Sequence, residues 1–130
     1  MLLHFVLYNV VSMKVIICNR DNYIRRDVAR QLREHYPNCE VQCFEDVLLA
    51  AKSVYYIIPD VVILGMDGIK LIQMLRKQAG DMQIVILADN PDHRDEAYSL
   101  GANGYITLPL SEDALYSAVE GRMDFDMGEI

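Results

Sequence analysis

At 130 residues the chain has room for one domain, and enough mass to bury a single core without disulfide or metal staples. Its composition, 52% apolar and 24% charged, is ordinary for a soluble globular protein. The net charge of −7 speaks against nonspecific nucleic-acid binding, because a phosphate backbone would be repelled rather than neutralised.

The chain opens on an apolar stretch, Leu2–Val11, about half the length needed to span a bilayer, with neither a basic leader nor a small-residue cleavage site. Residues 1–12 are therefore an extension, either an added ordered segment or an upstream start preceding Met13, and no membrane role is expected. Lys14–Cys18 is a continuous apolar run of strand length, and Asn22–Tyr36 follows with Ile24, Val28 and Leu32 on one helical face. Pro37 and Asn38 break that helix, and Glu40–Phe44 alternates like a second strand. Cys18, Cys39 and Cys43 form an odd set with no CxxC pair. On a shared strand, Cys39 and Cys43 would lie about 13 Å apart, too far for a disulfide, so reduced thiols and a cytoplasmic setting are expected.

Glu45–Tyr56 is apolar nearly all round, a partly buried helix, and Pro59-Asp60 punctuates before the third strand, Val61–Leu64. Gly68–Ala79 carries Ile69, Ile72 and Leu75 at helical spacing and is ended by Gly80. Ile84–Ala88 is a fourth strand, Pro91–Leu100 a short polar helix stopped by Gly101, and Tyr105–Thr107 a short fifth strand. Ser111 caps a last helix whose first turn holds Glu112 and Asp113. Residues 124–130 are acidic and methionine-containing and have the character of a tail.

Repeated strand-then-helix units with strands this apolar imply an α/β fold with a parallel sheet covered on both faces. The commonest solution for five such units is the flavodoxin-like (βα)5 order 2-1-3-4-5, with ligands at the carboxyl ends of the strands. The segments that matter are then Asn19–Asn22, Gly65–Gly68, Ala88–Pro91 and Thr107–Pro109.

At those loops the chain resembles the receiver domain of two-component response regulators. The resemblance spans residues 13–123. It is carried by KVIICNRDNYIRR, PDVVIL with GMDGIKLIQMLR, IVILADN and, most specifically, GANGYITLPLSEDAL. Receivers transfer a phosphoryl group to an aspartate at the end of the third strand, using Mg²⁺ held by acidic residues after the first. The resemblance puts Asn19 and Arg20 where the acidic pair belongs, with Asp21 alone nearby. Gly65 stands where the acceptor should follow Leu64, and the loop before MDG is shorter by roughly five residues. Ala88 replaces the hydroxyl residue ending the fourth strand, and Leu108 the lysine before Pro109. A degenerate, non-phosphorylatable receiver without metal, cofactor or enzymatic activity is the expectation.

Physical chemistry points the same way. Mg²⁺ wants hard oxygen ligands, usually a carboxylate or two among them. Arg20 at about 5 Å would oppose it by on the order of 6 kcal/mol at an effective dielectric of about 20, an upper bound because the side chain can swing away. Asp60 precedes the third strand, at the wrong end of the sheet, and suits a turn or cap. Asp67 suits a helix start. His4, His35 and His93 are scattered and suit surface positions rather than a metal site. Gly65 and Gly68, with a carboxylate between them, do not make a phosphate cradle.

In the family, an aromatic on the fifth strand turns inward as the fourth-strand hydroxyl moves. Here Tyr105 faces the smaller Ala88, so a constitutively inward Tyr105 is expected, against the plainer alternative of a half-buried aromatic at the sheet edge. Arg20 is expected either to pair with Asp21 or carbonyls of the Gly65–Gly68 loop, or simply to stand exposed. Two function classes follow. One is an interaction module that docks a protein partner, or a second copy, through the fourth-helix, fifth-strand and fifth-helix face beside Tyr105 and Pro109. The other is a small-ligand sensor using the emptied pocket. A weaker third makes the chain the receiver part of a DNA-binding regulator, with no direct nucleic-acid contact by this domain.

Overall fold

A computed structural model describes residues 12–78 and 80–121. Five strands, β1 (Met13–Cys18), β2 (Cys39–Phe44), β3 (Val61–Gly65), β4 (Gln83–Ala88) and β5 (Gly104–Thr107), form one parallel sheet in the order β2-β1-β3-β4-β5. The helices α1 (Asn22–His35), α2 (Val47–Ile57), α3 (Ile72–Gln78), α4 (Arg94–Leu100) and α5 (Glu112–Val119) connect them. This is the flavodoxin-like α/β topology expected from the sequence.

Two cores sandwich the sheet. Ile16, Val62, Leu64, Ile84 and Ile86 meet α2, α3 and α4 on one face, while Val15, Ile17, Ile63, Val85 and Leu87 meet α1 and α5 on the other. Every residue of β3 is buried, which is why that strand shows no alternation. β2 departs from the expectation of fully covered strands: it lies at the sheet edge and is half exposed, matching its alternating sequence. Asp60 takes the structural role foreseen for it. Its Oδ2 accepts from the Lys14 amide at 2.8 Å, and its carbonyl accepts from Gln83, which ties together the amino ends of β1, β3 and β4.

The connection after β3 differs from the sequence expectation. No loop intervenes: a 3-10 helix, Met66–Leu71, starts directly after Gly65 and runs into α3. So tight a turn presses Gly68 onto the strand, where a Cβ would come 3.1 Å from Leu64 Cβ. The fourth helix is shorter than expected because Pro91–His93 form turns before Arg94. Gly101 explains one glycine of the GANGY run: at φ +120 it ends α4 in a region closed to other residues.

Ser12 donates to the Asn38 carbonyl and to Glu40, beside the start of β2. The expectations for residues 1–11, including His4, and for 124–130 fall outside the described residues. His35 is no simple surface residue. It is half-buried and stacks on Tyr116 with ring centroids 3.7 Å apart, edge-on to the buried Tyr36. His93 is exposed and contacts Glu96 at 3.0 Å.

Candidate functional site

The carboxyl ends of β1, β3, β4 and β5 enclose an open depression of about 310 Å³. The sequence-predicted positions Asn19, Arg20, Asp21, Gly65, Ala88 and Leu108 all line it, and the parallel topology brings them together from loops far apart in sequence. Ile24, Met66, Asp67, Leu87 and Asp89 complete the wall.

The first loop is wired to itself. Asn19 Oδ1 accepts the Asp21 amide at 2.9 Å, an Asx turn that sets the chain up for α1. Asp21 then caps that helix, its Oδ1 accepting from Tyr23 and Ile24 amides at 2.8 and 3.1 Å. Arg25, a residue the sequence did not single out, reaches back from the first turn. Its Nη1 donates to the Asn19 carbonyl at 2.6 Å and the Arg20 carbonyl at 3.1 Å, and its Nη2 donates to Asn22 at 3.0 Å. No local pattern marks such a contact, because an arginine one turn into a helix is usually solvated.

Arg20 stands exposed, as one of its two alternatives had it, but with a partner neither foresaw. It pairs neither with Asp21 nor with carbonyls of the Gly65–Gly68 loop: its Nε lies 3.2 Å from Asp67 Oδ2, with the arginine side chain 81% exposed. A pair this wet contributes little stability. Asp67 lies in the first turn of the 3-10 helix but does not cap it, since Gly65 holds the cap position without a side-chain hydrogen bond, and its carboxylate lies over Gly65 instead. A Cβ built on Gly65 would lie 3.2 Å from Asp67 Oδ1 and 3.1 Å from Asn19 Nδ2, so these two side chains fill the space beside the strand end.

Ala88 is buried at the end of β4, and its carbonyl accepts the Leu108 amide at 2.8 Å. The Leu108–Pro109 peptide is cis. Tyr105 is 2% exposed and points inward, packed in the core cluster that contains Ala88 and Ala97. Its hydroxyl donates to the Asn90 carbonyl at 2.7 Å. The half-buried alternative is thereby set aside.

Could these groups hold a divalent cation? Asp21 spends an oxygen on two helix amides, Asn19 spends its oxygen on Asp21, and Asp67 faces a guanidinium. Among the described residues no three Cys, His, Asp or Glu side chains are grouped to hold a metal ion. The donor set does not fit Mg²⁺, which needs several free hard oxygens in a tight octahedron.

Beneath the depression, burial pushes the Cys18 thiol from 9.0 up to about 11, and the negative charges of Asp67 and Asp46 add to the rise against Arg25. Burial does the same to Cys39, also to about 11. The three described cysteines are free thiols. Because folding raises the Cys18 pKa, the associated stability is complete below pH 9 and is lost as the pH climbs from 9.0 to about 11. A shift of this size corresponds to about 2–3 kcal/mol. Urea unfolding at about pH 8 and about pH 10.5 should show Cys18→Ala losing about 2 kcal/mol less than the wild type over that interval. Equal losses would sink the assignment.

The comparisons agree with this fold. The response regulator receiver domain family matches residues 15–120. A chemotaxis response regulator of Vibrio cholerae, CheY4, superposes with a TM-score of 0.74 at 21% identity, over 85% of this chain and 98% of that one. The response regulatory domain of mrkE from Klebsiella pneumoniae gives 0.74 at 24% identity, over 83% and 93%. In sequence, the Arabidopsis thaliana two-component response regulator ARR13 is 29% identical over 55 residues, 42% of this chain but 10% of that protein. A five-stranded 2-1-3-4-5 sheet is common to flavodoxin-like α/β domains, and the family match over residues 15–120 decides among them. The chain belongs to the response regulator receiver domain family.

Proposed function

We propose that this chain is a receiver domain that signals without phosphoryl transfer, by binding a protein partner. The observation that carries this reading is the end of β3. Gly65 offers no carboxylate, and the neighbouring Asp67 is turned to Arg20. Ala88 and Leu108 bring neither a hydroxyl nor an ammonium to the same depression. Phosphoryl transfer depends almost wholly on positioning and on cationic stabilisation of the transferred group, and one exposed guanidinium is a meagre supply.

What remains is a surface. With Tyr105 buried and hydrogen-bonded to Asn90, the face of α4, β5 and α5 is held in one arrangement without a chemical trigger. That face exposes Asp92, Asp95, Glu96, Glu112 and Asp113. Two acidic faces repel each other, so this one fits a partner bearing basic residues better than a second copy. The setting is two-component-type signalling or regulation of transcription, in the cytoplasm, with no enzymatic activity, cofactor or direct nucleic-acid contact by this domain.

The test is incubation with acetyl phosphate and Mg²⁺, followed by intact-mass measurement. The expected result is no phosphoryl adduct, and no change in unfolding midpoint with beryllofluoride. A covalent phosphate on Asp67 or any other aspartate would overturn the reading. A second reading, a small-molecule sensor, draws on the volume of the depression, about 310 Å³. That is the low end for ligand sites. A saturable thermal shift with one metabolite, abolished by Gly65→Leu, would favour it.

A further inference from the structure

The exposed apolar surface does not sit where the α4–β5–α5 face would put it. Among the described residues five of the six large hydrophobic side chains more than half exposed cluster on α2 and its end, Leu48 67%, Leu49 53%, Tyr55 63%, Tyr56 86% and Ile58 71%, and the sixth is Tyr23, 78% exposed at the start of α1. At 100° per residue the four helical ones fall within an arc of about 120°, with Lys52 at its centre. The opposite side of the same helix, Ala50, Ala51 and Val54, is buried against the sheet. The helix is thus apolar on both sides, and only one side has a partner within the domain.

Ile58 adds a second observation. It is a β-branched residue at φ 52, the left-handed conformation that ends helices and favours glycine or asparagine. There it closes the helix, its amide donating to the Val54 carbonyl at 3.1 Å, while its side chain stands in the open. Beside α2 runs β2, whose outer edge pairs with no strand among the described residues. It is six residues long and carries neither proline nor lysine, and Glu40 is its lone charge. Edges of this kind are usually guarded when a protein stays monomeric.

We propose that a second copy of this chain docks on the α2 face, helix against helix in antiparallel fashion about a twofold axis. Taking about 200 Å² for a free aromatic side chain, the five exposed residues present on the order of 600 Å², close to the roughly 800 Å² each partner gives to a standard interface. Such an area exceeds the scattered apolar exposure ordinary for a monomer. This surface is separate from the emptied depression and from the acidic face, and it stands whether or not the depression accepts phosphate.

The experiment is sedimentation equilibrium of the full chain across a wide concentration range, combined with hydroxyl-radical footprinting. The expected result is a concentration-dependent dimer in which Tyr55 and Tyr56 become protected as the dimer forms. The pair Leu48→Asp and Tyr56→Asp should weaken the dimer by at least about 100-fold. Both positions are exposed, so the fold itself should be unaffected, which circular dichroism checks. Tyr98→Asp on α4 should leave the dimer intact. A monomer at all concentrations overturns the proposal, whether the α2 tyrosines are labelled in full or are already protected by another part of the chain. So does a dimer that survives the double substitution.

Discussion

Tyr105→Ala should lower the unfolding free energy by about 4 kcal/mol, the range for removing a buried aromatic from a packed core. The ring is 2% exposed and packs with Ala88 and Ala97, and neither neighbour is large enough to refill the space. Tyr105→Phe keeps the ring and removes the hydroxyl's bond to the Asn90 carbonyl and its weak contact with Met66 Sδ, so it should cost about 1 kcal/mol. The difference between the two is the informative quantity. Urea unfolding of both variants separates packing from hydrogen bonding, and hydrogen exchange at residues 89–93 should quicken in both, because the Asn90 anchor is lost. Equal destabilisation would mean that the ring's burial contributes nothing beyond its hydroxyl, contrary to the assignment.

Arg76→Ala should be nearly as damaging, by about 3 kcal/mol, although the residue looks like an ordinary helix-surface arginine in the sequence. Its Nε and Nη2 donate to the Gly101 carbonyl at 3.1 and 2.8 Å, its Nη1 donates to the Gly80 and Met82 carbonyls at 2.8 and 2.6 Å, and Nη2 also bonds Asn103. The last contact matters because Asn103 in turn accepts the Ile84 amide at 2.8 Å, which makes one network of α3, the start of β4 and the turn before β5. A charged donor to several part-buried carbonyls is worth more than a neutral one, and its removal leaves those carbonyls to find water. Arg76→Lys restores one point charge but not the planar fork, so it should recover less than half of the loss. Full recovery by lysine, measured by urea unfolding, would show that charge alone accounts for the effect.

Much of this molecule was legible beforehand, for identifiable reasons. The strands are unbroken apolar runs, which only a sheet covered on both faces can bury, and Val61–Leu64 is the clearest case. Ser111 stands just ahead of helical periodicity, where a side-chain oxygen can meet an unpaired amide, and in the structure it accepts from Ala114; the like cap by Asp21 on Tyr23 and Ile24 was not foreseen. Pro37 and Gly101 mark helix ends because one cannot continue the hydrogen-bond ladder and the other takes a backbone angle closed to its neighbours. The positions lining the depression were legible too, since a parallel sheet gathers all its carboxyl-end loops on one side.

Other features had no local signature. That Arg20 would turn to Asp67 depends on the 3-10 helix following β3 without a loop, a three-dimensional consequence of a missing segment. Arg25 and Arg76 bond backbone carbonyls, and a carbonyl is present at every residue, so no residue type announces the partner. The sequence by itself determined the class of fold, the Ser111 cap and the residue types at the strand ends, because these rest on periodicity and on contacts within a turn. The tertiary structure alone decided which carboxylate lies over Gly65, where the Tyr105 hydroxyl is anchored, and that the open apolar surface belongs to α2. Those outcomes depend on distances between segments far apart in the chain, which no window of sequence contains.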